Sequence, residues 1–191
     1  MSAQPRQMLI VDVESTCWEA KPPPGQQSEI IEIGICTLDL DTLQISQGKS
    51  ILVKPIRSRV SPFCTQLTSL TPEMVDQGVT FVDACALIEH DYASKDHLWG
   101  SWGVYDLRMF QDQCSSFGVP YPFSDRHLNI KWLFADKLNK KKQVGMAHAL
   151  ELLRLSLRGT HHRGGDDAQN IAVIMAYMLK RFGLELLPAA L

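Results

Sequence analysis

The stretch "MLIVDVESTCWE", Met8 to Glu19, is an apolar run interrupted by two carboxylates, Asp12 and Glu14, one residue apart. Met8, Leu9, Ile10, Val11 and Val13 read as a strand buried on both faces, the kind found in the middle of a parallel sheet. Residues two apart on a strand share a face, so Asp12 and Glu14 stand side by side close to where the chain leaves the sheet. Like charges there repel, and burial disfavours both. Something cationic has to hold them.

Downstream of this strand, "KPPPGQQ" (Lys21–Gln27) reads as a stiff exposed loop. "IIEIGICTLDL" and "QGKSILVKP" read as two further strands, expected as antiparallel neighbours of the first. "LTPEMVDQG" opens like a short helix, with Thr71 as cap and Pro72 at the first helical position. "TFVDACALIEHDYAS" follows as a helix with Thr80 and Asp83 at capping-box spacing. "HLWGSW" is a short strand, and "YDLRMFQDQCSSFG" a helix stopped by Gly118. "LNIKWLFADKL" holds a brief strand running into a helix, and "MAHALELLRL" and "DAQNIAVIMAYMLKRFG" are two amphipathic helices. Strands first and helices then interleaved with them predict an α/β fold, a mixed sheet covered on both faces.

The length of 191 residues suits one domain, 1–191 with a core of about 8–182, and the 45% hydrophobic content is that of a globular chain. No apolar run is long enough to span a bilayer, and "MSAQPRQ" lacks the layout of a secretory signal, so no membrane association is expected. Five scattered cysteines without a C-x-x-C pair predict reduced thiols in a cytoplasmic setting, and neither a disulfide framework nor a zinc knuckle. The net charge of −2 hides an asymmetry: from Arg126 to Arg163 nine basic residues face only Asp136 and Glu151. A basic surface beside an acidic site is the pattern that leads a phosphate backbone to metal ions, although "KLNKKKQ" alone reads equally well as a solvated loop.

Two further acids break apolar patterns. Asp106, in "GSWGVYDLRMF", lies where a short strand gives way to a helix, a position that also suits a first-turn acid. Asp167 shares a helical stripe with Ile171, Ile174 and Met178, the inward face, whereas Asp166 lines up with Asn170, Val173 and Tyr177 and fits a capping role. An acid on a buried stripe is costly unless compensated. His161 and His162 each precede one of these acids by five residues. The inward phase of Asp167 makes His162 its expected mate, riding on the glycine-rich loop "GTHHRGG".

The acid pair in "DVESTC", the acid followed four residues later by an aromatic (Asp106–Phe110) and His162-x-x-x-x-Asp167 resemble the three exonuclease motifs of the DEDDh superfamily. The words "FCTQLTSLTPEMVD" and "HHRGGDDAQNIA" are similar to those of its Eri-type 3′–5′ exonucleases, and the likeness runs from about Met8 to Phe182. The resemblance implies a ribonuclease-H-like fold of about five strands. It also implies two divalent ions held by Asp12, Glu14, Asp106 and Asp167, with His162 as general base. Four carboxylates suit Mg²⁺ or Mn²⁺; zinc would want His and Cys, which no spacing here supplies. A pair of such ions can activate the attacking water and stabilise the leaving 3′ oxygen of a phosphodiester. Single-stranded nucleic acid is the expected substrate, RNA favoured over DNA on the family likeness alone. Phe63 and either Trp102 or Tyr105 resemble the aromatic pair that clamps the terminal base, and Thr16, inside the first motif, joins them as a substrate-binding candidate. Trp18, Trp99 and Trp132 are expected in the core or its shell. Gln66 and Ser69 depart from the family pattern, which often carries an acid and a glycine there. No room is left for the extra nucleic-acid-binding segment of some longer relatives, so capture is expected to rest on this domain or on a partner.

Alternative readings are a proofreading-type DNA exonuclease with the same chemistry and a non-catalytic binding or accessory module on the same fold. A phosphatase with an aspartyl nucleophile would leave the H-x-x-x-x-D word unexplained.

Overall fold

The computed structural model describes residues 6–188. The two ends of the expected 1–191 unit, with most of "MSAQPRQ", lie outside the described residues. Strand β1 (Gln7–Ser15) occupies the centre of a five-stranded sheet of order β3-β2-β1-β4-β5. Its neighbour β2 (Ile30–Asp39) runs antiparallel to it, from Gln7 opposite Asp39 to Glu14 opposite Glu32. β3 (Lys49–Leu52) pairs with β2 and not with β1, contrary to the expectation that both strands flank the first. The short connection from β2 leaves β3 on the free side of its predecessor, as sequential strands usually pair. On the other side β4 (Leu98–Ser101) runs parallel to β1, and β5 (His127–Asn129) parallel to β4.

The alternation of β1 sorts the core into two layers. Leu9, Val11 and Val13 point to the face covered by α3 (Phe81–Tyr92) and α4 (Tyr105–Phe117), where they meet Phe81, Ile88, Trp99 and Phe110. Met8 and Ile10 point to the opposite face, covered by α5 (Ile130–Lys137), α6 (Met146–Leu153) and α7 (Gly164–Phe182). A strand buried on both sides reads as a continuous apolar run because neither parity meets water. The even-numbered parity, continued, is that of Asp12 and Glu14. The acid pair therefore belongs to the α7 face.

Two short helices, α1 (Pro62–Thr68) and α2 (Pro72–Asp76), and the connection between them pack Cys64, Leu70 and Val75 against Ile31 in a smaller third cluster. α2 starts as expected, Thr71 accepting the Met74 N–H. α1 was not anticipated, although it carries the same signal: Ser61 accepts the Cys64 N–H and Pro62 takes the first helical position. At its end Ser69 sits at φ 63°, left-handed, the conformation that glycine adopts without cost. Of the three tryptophans expected in the core or shell, Trp99 is fully buried, stacked on Phe123 at 4.5 Å between ring centres. Trp18 is half-buried. Trp132 is 55% exposed, since Ile130, Leu133 and Phe134 form the inward face of α5 and leave it outside. No helix among the described residues is long and apolar enough to cross a membrane.

Candidate active site

The site forms where β1 outruns its parallel neighbour. β1 and β4 pair only from Met8 opposite Leu98 to Ile10 opposite Gly100, so the later N–H groups of β1 need other acceptors. Asp106, in the first turn of α4, supplies one: its carboxylate accepts the Val13 N–H at 2.9 Å. This contact draws Asp106 to the strand between Asp12 and Glu14. Asp167 arrives from the other direction, in the first turn of α7. That helix start is pressed onto the sheet through glycine: a Cβ on Gly34 would lie 1.8 Å from the carbonyl carbon of Gly164. Only backbone without side chains permits so close an approach. Three elements thus bring four carboxylates to a cleft of about 390 Å³, also lined by Ser15, Cys17, Leu67, Trp102, Tyr105, Met146 and both histidines.

These acids are held against their charge. Asp12 opens partly to the cleft but is otherwise surrounded by protein; burial, then the charges of Asp106, Glu14 and Asp167, push its carboxyl well above the ordinary carboxylate range. Burial and the charge of Asp167 raise Glu14 to about 8. Asp106 and Asp167 are also raised, chiefly by burial, with the Val13 and His162 N–H groups working against the shift. Asp12, Glu14 and Asp167 each offer an oxygen within 4.8 Å of the others. Crowded, raised carboxylates with converging oxygens are the signature of a site that gains by binding a cation.

The histidines depart from the expected pairing. The ring of His161, not His162, meets Asp167, with Nδ1 3.0 Å from Oδ2. His162 reaches Asp167 through its backbone, whose N–H donates to Oδ2 at 2.9 Å, while its ring lies with Nδ1 4.0 Å from Glu14 Oε1. The physical reason is a left-handed turn at His162, φ 65°, which reverses the chain before α7 starts. Helical phase counted back from Asp167 therefore does not extend to the preceding loop. Asp166 does face away, as expected, accepting the Thr160 N–H at 2.8 Å, but it is not the partner of His161. Burial and the neighbouring His161 lower the His162 pKa, which favours its neutral form. His161, His162 and Asp167 make a second set of converging donors, which the spacing had not suggested. The two rings stack at 4.0 Å and 18°, however, so their in-plane lone pairs run side by side and do not meet on one ion.

Among the aromatic candidates, Tyr105 and Trp102 line the cleft. Tyr105 is 52% exposed and anchored by its hydroxyl to Ser15 Oγ at 2.6 Å. Trp102 is tied back to the scaffold, donating from Nε1 to the Val144 carbonyl at 3.0 Å and packing on Phe134. Phe63 does not reach the acids; with Glu19, Pro62, Gln66 and Leu67 it lines an adjoining hollow, which Leu67 joins to the cleft. Thr16 is fully buried and its hydroxyl is taken, accepting the Glu29 N–H at 2.9 Å and meeting Ser58 Oγ at 2.9 Å. It braces the end of β1 and does not line the cleft, although Ser15 and Cys17 on either side of it do. In the basic segment Lys140, Lys141 and Lys142 are exposed, whereas Arg163 is half-buried and paired with Glu32, so it is not part of a basic surface.

Residues 9–175 match the exonuclease family RNase_T. The chain is 33% identical to human 3′-5′ exoribonuclease 1 over 184 residues, covering 91% of this chain and 52% of that protein. It is 26% identical to the 3′-5′ exonuclease Snipper of Drosophila melanogaster, covering 94% and 72%. The chain thus spans about half the length of the human relative. The nuclease domain of 3′hExo, a DEDDh family member solved bound to rAMP, superposes with a TM-score of 0.82 at 27% identity, covering 98% of each chain. A 3′-exonuclease solved in 3′-end-specific recognition of the histone mRNA stem-loop gives the same TM-score at 28% identity, over 93% of this chain and 65% of that one. The mixed sheet and its helices are the ribonuclease-H-like fold of those nucleases, and the chain belongs to the RNase_T exonuclease family, on its Eri-type DEDDh branch.

Proposed function

We propose that the chain is a metal-dependent 3′–5′ exonuclease that hydrolyses phosphodiester bonds of single-stranded RNA or 3′ overhangs and releases 5′-mononucleotides. The observation that carries this reading is the convergence of Asp12, Glu14, Asp106 and Asp167 in one cleft beside His162. Their oxygen donors fit hard divalent ions, Mg²⁺ or Mn²⁺. Asp12, Glu14 and Asp167 would hold one, and Asp106 with Asp12 a second. Such ions supply a water acidified for attack and charge neutralisation on the leaving oxygen. The rest falls to the chain's own residues. His162, neutral near pH 7 and 39% exposed at its side chain, accepts a proton from the attacking water. His161 holds Asp167 in orientation. Tyr105 and Trp102 offer ring faces to a terminal base, and Phe63 offers one to its neighbour along the hollow.

RNA as the favoured substrate is supported by the name of the human exoribonuclease relative, and by the rAMP and the histone mRNA stem-loop of the two superposed structures. A DNA exonuclease would use the same chemistry. A cytoplasmic setting suits the five free thiols. The test is purified protein with Mg²⁺ or Mn²⁺ on end-labelled single-stranded RNA, duplex RNA and DNA. Stepwise loss of 3′ nucleotides, fastest on single-stranded RNA and stopped by EDTA, is expected. Activity undiminished in excess EDTA, or efficient cutting of a circular RNA, would overturn the reading.

A further inference from the structure

A fifth carboxylate lies beside the four, and the exonuclease chemistry does not use it. Glu32 stands directly opposite Glu14 in the β1–β2 register, fully buried. Cross-strand partners share a face, so its side chain points to the same α7 side. A buried charge in mid-sheet needs strong partners, and both of its oxygens have them. Arg163 Nη2 donates to Oε1 at 2.9 Å and Nε approaches both oxygens at 3.3 Å, while the Gly164 N–H donates to Oε2 at 2.7 Å. Every one of these donors lies within two residues of His162. Behind them, Gly164 packs against the Gly34 and Asp12 backbone so closely that an added Cβ would lie 2.8 Å from Gly34 N and 3.2 Å from the Asp12 carbonyl oxygen. His162 itself holds a left-handed conformation that costs a non-glycine residue of order 1 kcal/mol and persists only when its surroundings over-determine it. The Asp167 carboxylate fixes the His162 N–H from one side. The Glu32 carboxylate fixes the next two residues from the other.

We propose that Glu32 and Arg163 are positioning residues: their buried ion pair clamps the chain after His162 and so sets the imidazole's place beside the attacking water. This deepens the exonuclease reading and rests on it. A guanidinium fork fits this task better than an ammonium, because it fixes direction as well as charge. Displacing a catalytic group by about 1 Å costs on the order of 10²-fold in rate.

The experiment compares Glu32→Gln, Arg163→Lys and Arg163→Met with the parent, each alone and combined with His162→Ala, at saturating metal. Arg163→Met and Glu32→Gln are expected to lose on the order of 10²-fold in kcat, with KM and the metal concentration for half-maximal rate little changed. Arg163→Lys should recover part of that loss. In the His162→Ala background the same changes should cost almost nothing further, because residues acting through one group are not additive. Full kcat in a folded Arg163→Met protein would overturn the proposal. So would an equal loss with and without His162, or a loss that extra metal repairs, since each places the effect elsewhere. An inactive parent would sink the exonuclease reading and leave the clamp to amide exchange of the metal-free protein. There Arg163→Met, or Arg163→Lys if the first does not fold, should speed exchange at His162 and Gly164 while residues 170–178 stay protected. Unchanged exchange at those two amides would refute the clamp.

Discussion

Replacing Glu14 by Gln should stabilise the protein when metal is withheld and cost it the stabilisation that metal brings. Burial and the charges of Asp167, Glu32 and Asp106 raise the Glu14 carboxyl from an ordinary 4.5 to about 8. At neutral pH the folded, metal-free chain therefore carries Glu14 protonated, whereas the unfolded chain carries it ionised. The folded state binds the extra proton, so this contribution is complete below 4.5, is lost progressively as pH rises, and levels off near 8. Asp12, Asp106 and Asp167 are raised as well and act with the same sign. At about 1.4 kcal/mol for each tenfold change in proton concentration, the Glu14 proton alone accounts for about 3 kcal/mol between pH 4.5 and pH 7. Glutamine keeps the shape and has no proton to gain. The variant should then melt roughly 6–12 °C above the parent in EDTA at pH 7, at the ~2–4 °C per kcal/mol of a domain this size. With Mg²⁺ or Mn²⁺ the parent should climb past the variant, because the ion replaces the missing proton and binds only the folded state. Thermal melts of both proteins at pH 5, 6, 7 and 8, with EDTA and with metal, give the answer. A variant that melts at or below the parent in EDTA at pH 7, or a metal-free parent whose stability rises from pH 5 to 8, would refute the reasoning.

The two histidines should separate by kinetic parameter. His162→Ala should lower turnover about 10²–10⁴-fold, the worth of general-base assistance, whereas His161→Ala should chiefly raise the metal concentration needed, by about tenfold or more, as loss of an orienting partner does. Metal titrations of the rate check both, and the opposite assignment would exchange their roles. Tyr105→Ala and Trp102→Ala should weaken binding of a single-stranded substrate by about 1–3 kcal/mol each, one stacked base, with Phe63→Ala smaller on a dinucleotide than on a longer strand; single-turnover titrations separate binding from chemistry. Ser69→Gly should raise stability by about 0.5–1 kcal/mol, since the left-handed end of α1 suits glycine, and denaturant melts will show it.

The legible parts of this chain were those whose signal is local. The doubly buried run of β1, the Thr71-Pro72 and Thr80/Asp83 helix starts and the Gly118 stop each announce themselves within a few residues, and each is where the pattern places it. Parity along β1 and the stripe on α7 brought the acids to one face without any knowledge of the sheet order. What failed was every inference that needed a periodicity to survive a change of chain direction. The left-handed turn at His162 breaks the helical count, so His161 and not His162 meets Asp167. Thr16 is a different case: its place inside the first motif does not fix a direction, and past the register shift between Glu14 and Ser15 its hydroxyl turns to Glu29 and Ser58. Glu32 is hidden in the sequence for another reason: inside "IIEIGIC" a single acid looks like one more interruption, and only the pairing of β2 with β1 sets it opposite Glu14. Its partner Arg163 read as one charge among nine in a basic segment. The two residues are 131 positions apart, and the guanidinium is drawn inward because the buried carboxylate has no water to satisfy it. The strain at His162 and the ion pair behind it are therefore one feature of the fold: a turn that no local preference favours is kept by partners that only the assembled sheet can supply.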